Sequence, residues 1–167
     1  AGRVMRKTDD YNLGYLATFT DRPDIDRDAW VHTLDYGYFI NDEITLSGQF
    51  SHAAISQQGV NIDDSAGWLK LGQQFSKNWQ HSLTAGYFGD EYQVNDLGFL
   101  PRNDLRSFNY QNSYKDHEFS SDSGFQEHKI TAYVVHKANT SGLTLESSLR
   151  FVDRWQLKDS SSFQWHI

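Results

Sequence analysis

The chain has 167 residues, 38% of them apolar and 15% aromatic, with a formal net charge of −7 and no cysteine. That length provides one domain with an interior and argues against two, and the acidic balance repels a phosphate backbone, so no nucleic-acid partner is expected. Without thiols there is no disulfide framework, thiolate metal site or cysteine nucleophile.

The first residues, Ala1-Gly2-Arg3-Val4-Met5-Arg6-Lys7, lack the apolar centre of a signal peptide and read as the middle of a strand. From residue 11 onward the apolar positions recur every second residue, the period of a strand with two different faces. Tyr11, Leu13, Tyr15, Ala17 and Phe19 alternate with Asn12, Gly14, Thr18 and Thr20. Trp30, Leu34, Tyr36, Tyr38 and Ile40 oppose Thr33, Asp35 and Gly37. Ile44, Leu46, Phe50 and Ala54 oppose Thr45, Ser47, Gln49 and Ser51. Leu69, Leu71 and Phe75 then face away from Lys70, Gly72 and Gln74. Trp79, Leu83, Ala85 and Tyr87 face away from Gln80, Ser82, Thr84 and Gly86. Phe108, Tyr110 and Tyr114, then Ile130, Ala132 and Val134, then Leu143, Leu145, Leu149 and Phe151 continue the pattern. The chain ends inside another such segment, Phe163-Gln164-Trp165-His166-Ile167, so it reads as a piece of a longer polypeptide.

Turn-forming residues at Asp9-Asp10, Asn41-Asp42 and Lys77-Asn78 predict short hairpins. Polar stretches at 21–28, 56–65 and 89–104 predict longer loops, and both prolines, Pro23 and Pro101, fall within them. The expectation is an all-β, antiparallel up-and-down meander of about ten long strands. Membrane-crossing strands need ~9–11 residues and turn only every second residue to lipid. These strands match that length, and their second face is rich in Gly, Ser, Thr, Gln and Asn. Together these predict part of an outer-membrane β-barrel, or a small one, with the lipid bilayer as its partner. Tyr11, Trp30, Trp68, Trp79 and Tyr87, near strand ends, are candidates for aromatic girdles at the membrane surface.

The most distinctive stretch is Asn95-Asp96-Leu97-Gly98-Phe99-Leu100-Pro101-Arg102-Asn103-Asp104, within Tyr87 to Arg106. It resembles a motif in a family of bacterial envelope proteins. Those proteins carry an N-terminal module similar to family-nine carbohydrate-binding modules, followed by a C-terminal β-domain of unknown function. The resemblance implies an outer-membrane barrel. It places any carbohydrate binding in the separate module, outside these 167 residues, and so assigns no sugar-binding residue here. Physically the motif reads as a loop between long strands. Gly98 opens backbone conformations closed to other residues, Phe99 is able to bury, and Pro101 fixes the exit. Arg102 is positioned to bond Asp96 or Asp104, bracing the loop or folding it into the interior as a constriction.

No catalytic or metal centre is expected, and no cofactor. The carboxylates of 21–28 alternate as in a calcium loop, but Ala29 and Asp35 stand where Gly and Glu are required. The seven His are dispersed, and His128 and His136 lie too far apart on one strand to chelate together. Asp90-Glu91, adjacent and so on opposite faces of any strand, form a pair for a glycoside hydrolase only within a loop, a reading held below the barrel. A soluble β-sandwich binding sugars on its aromatic rings is the other alternative.

Overall fold

Long runs of alternating apolar and polar residues, rich in aromatic and β-branched side chains, fit extended pairing and no helix of useful length. The structure is a computed structural model that describes residues 1–93 and 102–167. Its strands are β1 (Gly2–Lys7), β2 (Tyr11–Arg22), β3 (Arg27–Phe39), β4 (Ile44–Gln57), β5 (Val60–Gln74), β6 (Trp79–Phe88), β7 (Leu105–Asp116), β8 (Phe125–Ala138), β9 (Thr144–Leu157) and β10 (Ser162–His166). They form one antiparallel sheet in chain order, with β1 and β10 at its two edges. The described residues therefore make an open meander, and a two-sheet sandwich is not their arrangement.

Two expected loops are shorter than the sequence suggests. The polar stretch 56–65 is a two-residue turn, Gln58-Gly59, because Asn61 and Asp63 continue the β5 ladder opposite Ser56 and Ala54. Half of the stretch 21–28 is strand, closed by a single 3₁₀ turn over Pro23–Ile25 with Asp26 in the left-handed region. A strict alternation of short turns with long loops therefore does not hold. Among the described strands the widest interval in sequence is that from Phe88 of β6 to Leu105 of β7.

Strand register is staggered in one direction across the sheet. Directly paired residues run from Tyr11, the first residue of β2, through Tyr38, Leu46, Leu71, Leu83, Tyr110 and Val134 to Leu149. Val134 lies nine residues into β8 (134 − 125), so the perpendicular row climbs steadily from strand to strand. Such a shear tilts strands about a common axis, as a curled or barrel-forming sheet requires. Every member of this row is apolar, and all lie on one face.

The opposite face, paired Gly14–Asp35–Gln49–Trp68 and Ser113–Thr131, carries small and polar residues. Burial is inverted between the two. Ser113 is 0% and Thr131 3% exposed, joined hydroxyl to hydroxyl at 3.1 Å, whereas Leu149 is 61% and Phe50 52% exposed. The sheet thus curls towards its polar face, where side chains converge. Trp68 is a correction to the expected girdle, since its pairing with Gln49 and Gly86 places it on the polar face.

Gly59 sits at φ +78° beside Gln58 at φ 51°, with open space where a Cβ would stand. Both positive angles belong to the turn that matches strand twist. Gly59→Ala should therefore cost about 1 kcal/mol, the penalty of a side chain in the left-handed region. It is to be read as a lowered denaturation midpoint of the full chain; an unchanged midpoint would count against this turn.

Candidate functional site

The long β6–β7 connection begins by folding back across the polar face. Its anchor is Asp64, which β5 turns inward opposite Ala53. The Asp64 carboxylate accepts the Ser65 N–H at 2.7 Å and the Glu91 N–H at 2.9 Å. Gly89 passes so close beneath that an added side chain would meet this carboxylate and force it aside, away from its bonds to Ser65 and Glu91. Gly89 also donates its N–H to the Ser65 carbonyl at 3.0 Å and accepts from the Asp104 N–H at 3.0 Å, tying both ends of the loop together.

Tyr92 then drops into the polar face. It is 4% exposed and packs in a small apolar nest of Val31, Ala53 and Ala66, with Phe88 against it. Burial raises its phenol above the ordinary value, offset in part by a hydrogen bond with Ser51. Next to it, Arg27 reaches the Gln57 amide oxygen at 2.7 Å and the Gln93 amide oxygen at 3.4 Å. Tyr92 forms one wall of a hollow of about 1020 Å³ along β1 to β4, lined also by Arg3, Leu16, Thr33, Asp35 and Gln49.

Of the motif residues singled out in the sequence, Asp96, Gly98, Phe99 and Pro101 lie outside the described residues. Arg102 and Asp104 lie within them. Asp104 is held by Thr140 of the β8–β9 turn, whose hydroxyl donates at 2.6 Å and whose backbone N–H donates at 2.8 Å. These bonds keep the Asp104 carboxyl below the ordinary carboxylate range, and the Arg102 charge adds a smaller contribution. On the Asp104 side the loop is held by Thr140, while the other partner expected for Arg102, Asp96, lies outside the described residues. Asp90 and Glu91 take part here through their backbones, Asp90 accepting the Asn103 amide at 2.6 Å. Among the described residues no three His, Asp or Glu side chains converge as metal ligands would.

Sequence reasoning did not single out Tyr92, Asp64 or Thr140. Asp64 had a legible signal, because it shares parity with Ala66 and Lys70 and so had to face inward. Tyr92 and Thr140 gave none, since their partners lie 41 and 36 positions away in Ser51 and Asp104.

One family model, described as a domain of unknown function (DUF5916), matches residues 12–167. No curated protein matches, and no solved structure matches.

Tyr92→Ala removes the buried ring from its nest and should weaken loop docking by about 3 kcal/mol, as large-to-small changes at buried aromatics do. Limited proteolysis of the full chain should then cut within 89–104 far faster than in the native protein, and equal rates would refute the docking. Because its folded value is depressed, Asp104 contributes stability that is complete above its ordinary 3.8 and declines as pH falls through the lower folded value. The protection factor of the Thr140 amide should hold at neutral pH and drop in that acidic window, and Asp104→Ala should show low protection throughout.

Proposed function

The chain belongs to the DUF5916 family of domains of unknown function, and from that premise we propose that it forms part of the wall of a bacterial outer-membrane β-barrel. The observation that carries this reading is the inverted burial: the face bearing the large rings and leucines is open, while the opposite face, where Ser51, Ser113 and Thr131 lie among Val31, Ala53 and Ile55, is covered. A protein surrounded by water places these the other way round, and large contiguous apolar surfaces mark a membrane or partner contact.

The dimensions support a bilayer in particular. On the apolar face, β2 runs from Tyr11 to Phe19, β3 from Trp30 to Tyr38 and β6 from Trp79 to Tyr87, each bounded by aromatic rings at both ends. Each span is nine residues by numbering, within the ~9–11 that cross the hydrocarbon at a tilt. Near the end where β7 and β8 are joined, Phe125, His128, Trp155, Phe163 and Trp165 cluster, with His128 stacked on Trp155 at 3.7 Å. Their position and composition support an interfacial girdle. Near the Gln58-Gly59 end, His52 meets Ser65 at 3.0 Å and Asp63 at 3.2 Å, marking where the outward face turns polar again.

In this reading the polar face lines an enclosed interior, and the loop carrying Tyr92 narrows it from within. A lining of hydroxyl, amide and cationic side chains suits passage of hydrophilic solutes, carbohydrates among them. The open edges of β1 and β10 call for further strands, since only a closed sheet satisfies every backbone group in hydrocarbon.

These 167 residues contain no cysteine, so each introduced thiol reports on its own position among them. Single cysteines are placed at Leu34, Leu71 and Leu83 on one face and at Thr33, Lys70 and Thr84 on the other, in the full-length protein in outer-membrane vesicles. A water-soluble maleimide should label the second set roughly tenfold or more faster than the first, given lipid-facing alternation. A monomer folded in plain buffer, with both sets labelled alike, would make this a soluble domain.

A further inference from the structure

Charge is distributed unevenly over the polar face. Along β7 to β9 that face carries Lys115, Lys129, Lys137, Arg150 and Arg154, against two carboxylates, Glu127 and Glu146. This contrasts with a chain whose formal net charge is −7. Much of the negative charge lies at the turns, as in Asp9-Asp10, Asp24, Asp26 and Asp42-Glu43.

Three of the cations stand in one row. Lys115 pairs directly with Lys129, and Lys129 pairs directly with Arg154, whose other neighbour is Gln164 on β10. Like charges directly opposite one another across a sheet are destabilising. Two carboxylates relieve only the periphery: Glu127 lies 3.0 Å from Lys115, and Glu146 lies 2.7 Å from Lys137. Lys129 and Arg154 make no ion pair among the described residues. Further along β9, Arg150 lies over the Tyr133 ring at 4.7 Å, which orients its guanidinium along the same face.

We propose that the Lys115–Lys129–Arg154 row, with Arg150 beside it, is a binding site for the phosphate or sulfate group of a solute held against the polar face. The guanidinium of Arg154 offers paired donors to two oxygens, while Lys129 supplies a compact charge between its neighbours. Gln164 adds a neutral polar group beside Arg154. A bound dianion converts the repulsion within the row into attraction, which is the physical reason for the cations to stand together. The inference rests on the barrel reading in one respect, that this face is the enclosed one and so meets solutes instead of lipid headgroups.

The test is calorimetric titration of inorganic pyrophosphate into the full-length protein held in a neutral detergent. Native protein should bind, K129Q/R154Q should bind at least tenfold more weakly, and Lys77→Gln, in the turn after β5, should bind as the native protein does. Lys129→Arg, which keeps the charge, should retain binding and guards against a merely misfolded double variant. No heat with native protein, or equal binding by K129Q/R154Q, overturns the site. Binding to phosphatidylglycerol micelles alone overturns the solute assignment. A protein that is folded and monomeric without detergent defeats the barrel, while the pyrophosphate titration still judges the cation row independently.

Discussion

Hairpin register is the constraint on which everything else in this molecule depends. Side chains on a strand alternate between faces, so a slip of one residue at any hairpin would carry every following ring to the opposite side. From β2 to β9 no such slip occurs: the paired row from Tyr11 to Leu149 is apolar at each of its steps. The irregularities between β8 and β9 lie at the two ends of that ladder, near Phe125 and Ala138, and leave the middle in register. Turn geometry and side-chain alternation therefore reinforce one another, and a consistent pattern at both levels is what specifies a unique sheet.

The steady stagger of that register has a second consequence. A sheared sheet coils, and coiling gives its two faces unequal room. Small residues accumulate on the crowded side, where Ser113, Thr131, Ser51 and Ala53 are buried. The open side takes the rings. The nest that holds Tyr92 exists because Ala53 and Ala66 leave space beside Val31 on the crowded side, so the inward path of the β6–β7 loop follows from the same curvature. Asp64 fixes where that path starts, and Asp104 with Thr140 fixes where it ends.

Electrostatics then separates along the same geometry. Most strand cations lie on the polar face, Arg6 and Arg106 being on the other, while many carboxylates sit at turns, where water screens them. Several polar groups that fall on the apolar face are paired within it. His81 meets the Gln73 oxygen and the Tyr110 hydroxyl, each at 3.2 Å, and His128 meets Asp153 at 2.8 Å. Such local pairing lowers the cost of a polar group standing among apolar neighbours.

By itself the sequence determined the strands, their approximate number, their antiparallel order and the chemical character of each face, because all of these follow from the two-residue period. Even where that reading erred, the period held the answer: Trp68 shares parity with Lys70, and its aromatic identity misled where its position did not. The polar run 56–65 read as a loop because composition alone does not distinguish a turn from strand ends that project into water. Only the tertiary structure decided the direction of curling, the stagger, the descent of Tyr92 and the clasp of Asp104 by Thr140. Each of these joins residues far apart in the chain, and no local pattern records which distant partner a side chain will meet.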